Sequence, residues 1–368
     1  MRFNCILRTI YQATPATILC REIGALTYIA AISSMGIVLP NKVLYGCMPA
    51  ITTQNLQSLD RLSRPDAEAL QQRPVLDIID SHRQLEGAGF EVRRPFPSVK
   101  LDLADPFLLF DHLGAVEYAP GEARGAPWHP HRGFETVTYV MDGFWRHRDS
   151  LGGGGLIGNG STQWMTAGAG ILHDELPTEE LVARGGLFHG VQLWVNLPSD
   201  LKMVAPRYQD ISAERLTLLS SHDGASLVRL IAGSLGSHEG PGVTHTPITY
   251  VHASVTSGSR LEMNWNPKFN ALVYALAGSG SVGAENRPLS EGQMAVLGNG
   301  EFLSLGADPK QPANSPTLEV LILGGAPIRE PVVRHGPFAM NTKAEIVQAI
   351  EDFEAGRMGN IPAEHIGS

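Results

Sequence analysis

The chain has 368 residues, enough for two ordinary domains, and its 43% hydrophobic and 18% charged content fits a globular protein with a substantial core. The formal net charge is -9 and no Lys/Arg cluster offsets it locally, which argues against direct nucleic-acid binding. The three cysteines, Cys5, Cys20 and Cys47, all precede residue 48, so the main body has neither a disulfide framework nor a thiolate metal site, and a cytoplasmic location is expected.

Residues 1–59 differ from the rest. Arg2, Arg8, Arg21 and Lys42 against the single acid Glu22 give +3, leaving -12 on the remaining 309 residues. The stretch Ile23 to Asn41 is uncharged. It can be read as a secretory signal or membrane anchor, as an acid-poor organelle leader, or as a segment upstream of a later start such as Met48. It is marginal for a spanning helix, which needs about 20 apolar residues, so membrane association is expected only if residues 23–41 act as an anchor. Residues 60–75, "DRLSRPDAEALQQRPV", read as a polar linker, and 1–75 is therefore taken as an extension.

From residue 76 the pattern is all-β. Short alternating or apolar runs such as "FLLFDHLG", "FETVTYVMDG" and "HGVQLWVNLP" are punctuated by Gly, Pro, Asp or Asn, as in a sandwich or barrel. A second series begins near residue 227 and includes "ITYVHASVTSG", "ALVYALAGSGSVG" and "TLEVLILGG". The stretches "STQWMTAGAGILHDE" and "EGQMAVLGNGEFLSL" repeat one order of elements, which implies one β-barrel unit used twice: 76–225 and 226–340. Residues 341–368 close the chain with a helix and tail; Asn341 is placed to cap the helix and Gly356 to end it.

The chemistry concentrates in the first unit. In "PWHPHRGFETVTYV" an extended strand puts His129, His131, Gly133 and Glu135 on one face. In "ILHDELP", His173 and Glu175 again stand two apart. The second unit has no histidine at either counterpart, so packing alone does not explain the pattern. Two such pairs meeting across a small barrel make a site of three histidines and one carboxylate. Glu175 ranks first as that carboxylate and Glu135 second. Imidazole and carboxylate donors suit Fe(II), Mn, Ni, Cu or Zn, and four protein ligands leave open positions for O2 or a substrate oxygen. The "GGGG" run at 152–155 is a loop with no P-loop lysine. His147 and His189 read as packing or supporting residues, Trp164 and Trp194 as core, and Phe134 as facing away from the metal.

The segments "HPHRGFETVTYV", "QWMTAGAGILHDE", "QLWVNLP", "KMVAPRYQ" and "GPFAMNTKAEI", in that order, resemble the pirin family of the cupin superfamily over about residues 76–360. The resemblance implies two tandem cupin barrels of jelly-roll type with iron in the N-terminal one only. Its metal ligands would be His129, His131, His173 and Glu175, with Glu135 reduced to a lining residue. It also implies two functions. One is a quercetin 2,3-dioxygenase type of oxygenase, in which a flavonol-like substrate and O2 react with release of carbon monoxide and Glu175 serves as general base as well as ligand. The other is a non-catalytic, redox-sensitive iron protein working through a protein partner. The sequence departs from the family at "NGST" before "QWMTAG", at Ala169, where Arg is frequent, and in the 1–75 extension.

Overall fold

The computed structural model describes residues 55–361 and the backbone of two short strands, Ile37–Leu39 and Lys42–Leu44, which pair antiparallel. These two strands fall in one unit of the chain, which divides after Tyr45; the described residues of the other unit carry both barrels.

The first barrel sets a seven-stranded sheet over a four-stranded one. The larger sheet runs in the spatial order Arg207–Ile211, Thr162–Thr166, Phe134–Asp142, Gly186–Asn196, Phe107–Tyr118, Phe90–Arg94 and His82–Glu86. The smaller runs Gly154–Ile157, Trp145–Asp149, Ile171–Pro177 and Ala126–His131. The second barrel repeats the plan with eight and four strands. The two large sheets share one core, in which Val137, Tyr139 and Leu193 of the first meet Tyr250, Leu272 and Leu323 of the second. Strands covered on both faces have no polar side to show, which is why they read as continuous apolar runs.

The two interiors differ. The second is filled by Leu261, Met263, Val273, Leu303, Leu305 and Val320. Leu261 pairs with Leu305 and Met263 with Leu303, on the strand pair that corresponds to Ala126–His131 with Ile171–Pro177. Where the second barrel interdigitates aliphatic side chains, the first carries histidines.

The all-β class, the two barrels and the short C-terminal helix are as expected, but the strands exchange at the boundaries. Val75–Asp80 pairs with Gln293–Leu297 and so completes the second barrel's large sheet, not the first barrel. The first barrel ends with Arg207–Ile211, because Thr217–Ser220 already pairs with Ser226–Ala232 of the second. The residues read as a linker also pack on the second barrel. Asp60–Arg61 lies parallel to Thr217–Ser220, and the buried Arg73 donates to the carbonyls of Gly298 (2.9 Å), Asn266 (3.0 Å) and Phe269 (2.8 Å). Their polar composition masks this, since beside Leu62 in the second barrel's core the contacts are made largely by backbone and by polar side chains such as Arg73 and Gln72.

The chain then returns to the first barrel. Ala339 N donates to Arg132 O at 3.1 Å, and Phe338, Met340 and Ile346 pack on Leu172. The helix Lys343–Glu354 is capped by Thr342, not Asn341: the Thr342 hydroxyl accepts from Glu345 N while the Glu345 carboxylate accepts from Thr342 N, a reciprocal capping box. Among the described residues no helix is long and apolar enough to cross a membrane. Apart from Ile37–Leu39, the uncharged stretch 23–41 lies outside the described residues.

Candidate metal centre

The strands Ala126–His131 and Ile171–Pro177 run antiparallel with His129 directly opposite His173 and His131 opposite Ile171. Residues that face each other across a ladder project to the same side, so three imidazoles enter the barrel interior together. Their ligating nitrogens all lie within 4.8 Å of one another. His129 Nε2 and His131 Nε2 are 3.0 Å apart. A bulge between His173 and Glu175 shifts the register, so that Glu175 stands opposite Ala126.

The far nitrogens are held by the protein. Nδ1 of His129 lies 2.8 Å from the carbonyl of Pro127, and Nδ1 of His131 lies 3.3 Å from that of Pro337. Bonded in this way each Nδ1 carries the proton, which leaves Nε2 as a lone-pair donor. Nδ1 of His173 is 2.7 Å from Nε2 of His147, and Nε2 of His173 is buried without a hydrogen-bond partner. Burial pushes His129, His131 and His173 below the ordinary imidazole range, and His147 down to about 3, so all four are neutral at physiological pH. Neutral, converging imidazoles with an orphaned buried nitrogen form a donor set that fits a divalent metal ion.

Glu175 lines the same cavity but stands outside the three-histidine group. The residue as a whole is half-buried, yet its carboxyl group is enclosed, and burial pushes it up to about 7. The Thr138 hydroxyl lies 2.9 Å from Glu175 Oε1 and 2.6 Å from Gln192 Oε1.

Glu135 is not in the cavity. The strand that carries the histidines ends at His131, and Phe134–Asp142 belongs to the other sheet, so the alternation does not run through. The break is at Gly133, whose φ is +89° and whose missing Cβ would lie 2.1 Å from Ala339 O. Only glycine fits that corner. Beyond it Glu135 shares a strand face with Val137 and Tyr139, away from Thr138, and its carboxylate accepts from the Thr166 hydroxyl at 2.6 Å. The same break reverses the expectation for Phe134, whose ring lies edge-on to His131 at 5.1 Å between centroids.

The cavity beside the histidines has a volume of about 540 Å³ and a largely apolar wall that includes Phe90, Val92, Leu109, Trp145, Phe188 and Trp194. Trp164 is core, as expected, but Trp194 is not: it faces the cavity, 5.1 Å from the His131 ring. Its parity with Gln192 in "HGVQLWVN", against Val191, Leu193 and Val195 of the core, was the available signal. His147 supports His173, while His189 meets His112 at 2.9 Å outside the site. The contribution of Pro337 left no local signal, because only its carbonyl acts and it comes from 206 residues away.

Comparison with known proteins agrees with this geometry. A family model described as pirin matches residues 89–195, and one described as the pirin C-terminal cupin domain matches 250–359. A Pseudomonas aeruginosa protein, provisionally named a quercetin 2,3-dioxygenase, is 41% identical over 77% of this chain and 98% of its own length. Human pirin is 39% identical over 76% of this chain and 91% of its own. A crystal structure of quercetin 2,3-dioxygenase from Acinetobacter baumannii superposes with a TM-score of 0.73 at 38% identity, covering 79% of this chain and 99% of that one. Fold and site thus define a protein of two cupin barrels with metal-binding capacity in the first. The chain belongs to the pirin family.

Proposed function

We propose that this protein is a metal-dependent dioxygenase of the quercetin 2,3-dioxygenase type, using Fe(II) and O2 on a flavonol-like substrate. One observation carries the reading: three neutral imidazoles converge on the wall of an apolar cavity of about 540 Å³, a size suited to a three-ring substrate. His129, His131 and His173 hold the metal in this reading, and Glu175 is its fourth ligand. A bound metal would supply Lewis acidity toward a substrate oxygen and open positions for O2.

The protein's own groups do the remaining work. The Glu175 carboxyl, raised to about 7 by burial, accepts the proton of the substrate hydroxyl near neutral pH. The Thr138 hydroxyl, itself held by Gln192 Oε1, lies against that carboxylate and positions it. Phe90, Leu109, Trp145 and Phe188 orient the rings and keep water out. The alternative, a non-catalytic iron sensor acting through a protein partner, has no use for an apolar cavity of this size. The distribution of cysteines supports a cytoplasmic location.

The test is to reconstitute the protein anaerobically with Fe(II), add quercetin and admit O2. Oxygen uptake that depends on the flavonol, with release of carbon monoxide, is the expected result. Stoichiometric iron without uptake would favour the sensor.

A further inference from the structure

The cavity that holds the histidines also carries two guanidinium groups, and they are held very differently. Arg94 is taken up by carboxylates: its Nε donates to Asp111 Oδ1 at 2.5 Å, its Nη2 to Asp111 Oδ2, and it pairs with Glu86 at 2.8 Å. Arg334 has no carboxylate within 4.0 Å among the described residues. Its Nη1 donates to the carbonyl of Leu108 at 2.6 Å, which leaves Nε and Nη2 available. The guanidinium lies over the Trp194 indole, 5.5 Å from the ring centroid, and that indole is in turn 5.1 Å from the His131 ring. Arg334 is therefore one tryptophan removed from the histidines, on the rim of the same cavity.

Two features make this group more than a surface arginine. Arg334 is exposed on its strand, but stacking on Trp194 and the bond to Leu108 favour one orientation of the fork, so less side-chain freedom is lost when a further hydrogen bond forms. Its segment is also tied to the site, since the carbonyl of Pro337, three residues on, is bonded to His131. The nearby acids are engaged by the other guanidinium: Asp111 gives both oxygens to Arg94, and Glu86 pairs with Arg94 at 2.8 Å.

We propose that Arg334 is a specificity residue: it anchors a carboxylate on the end of the aromatic substrate remote from His129 and His131. A planar guanidinium with parallel N–H donors is suited to a planar carboxylate. The inference rests on the reading of the cavity as a flavonol-type substrate site, and it adds a preference, within that class, for compounds that carry a carboxylate at that end.

The experiment is anaerobic calorimetric titration of the Fe(II)-loaded protein with 3-hydroxyflavone and with its 4'-carboxylate, using wild type, Arg334→Gln and Arg334→Lys. Wild type is expected to bind the carboxylate on the order of tenfold more tightly than the parent compound, the range of one charge-assisted contact. Arg334→Gln is expected to bind both equally, and an iron content and thermal midpoint equal to those of wild type report that the variant is folded. Arg334→Lys is expected to fall between, keeping the charge but losing the fork and the stack. Equal binding of the two compounds by wild type would overturn the anchor alone and leave the flavonol reading standing. A preference that persists in Arg334→Gln would also overturn it, placing the carboxylate on the metal or elsewhere. Binding of neither compound by metal-loaded wild type would overturn the cavity reading and the anchor together.

Discussion

His173 and His147 meet at 2.7 Å, Nδ1 to Nε2, both buried, so the histidine in the middle of the site is itself held by a histidine from the adjacent strand Trp145–Asp149. The second imidazole fixes the ring and tautomer of the first and leaves His173 Nε2 facing the other two histidines. Replacing His147 by Ala is expected to weaken metal binding by about 10- to 100-fold without abolishing it, the usual effect of removing a group that orients a ligand. His173→Ala is expected to abolish it. Metal titration monitored by bound iron per chain checks both, and unchanged affinity in His147→Ala would mean that His173 is held by packing alone.

Gly133 is where the chain leaves the histidine-bearing sheet. With φ at +89° and Ala339 O at 2.1 Å from a Cβ, Gly133→Ala must move backbone. A loss of roughly 1–3 kcal/mol is expected from the strained conformation, together with weaker metal binding because His131 is two residues away. The denaturation midpoint and iron content should fall together.

Arg132 follows His131 in the chain and ties it to the C-terminal helix. Its Nη1 donates to Asp352 Oδ2 at 2.6 Å and its Nε to Ala169 O at 2.6 Å. The hydrogen bond from Arg132, with those from Gln348 and Arg357, holds the Asp352 carboxyl well below the ordinary carboxylate range. A carboxyl depressed in the folded state stabilises the fold above its unfolded value of about 4 and loses that contribution as pH falls below it. Wild type is therefore expected to lose more stability than Asp352→Asn between about pH 4 and pH 2. Parallel curves for the two proteins would show that the ion pair adds nothing.

Glu135 was the second-ranked carboxylate ligand, and its position on the far side of its strand makes a clear expectation. Glu135→Ala should keep its full complement of metal. It should lose about 1–3 kcal/mol of stability, because the buried Thr166 hydroxyl is left without its acceptor. Loss of iron with unchanged stability would contradict this placement.

The sequence made the histidines legible because a period of two is a property of the strand itself, and because the second barrel lacks them at matching places. It misplaced Glu135 and Phe134 because the same period was carried through Gly133, where one strand ends and another sheet begins. It set Val75–Asp80 in the first barrel because hydrophobic alternation gives a strand's faces and not the sheet edge it joins. The Pro337 carbonyl and the helix around Asp352 reach the site from 206 and 220 residues away, and Arg334 meets Trp194 across a similarly long stretch of chain, a separation no local pattern encodes. Ala126–His131 and Ile171–Pro177 were recoverable because both their residues and their pairing lie in one short region.

In the proposed function the three histidines hold the metal that drives the chemistry. The most direct measurement is iron per chain and flavonol-dependent oxygen uptake in the same anaerobically reconstituted samples of wild type, His131→Ala and His173→Ala. The expected result is one iron per chain with oxygen uptake in wild type, and loss of both in each variant. Oxygen uptake that survives in a folded variant without iron would contradict it.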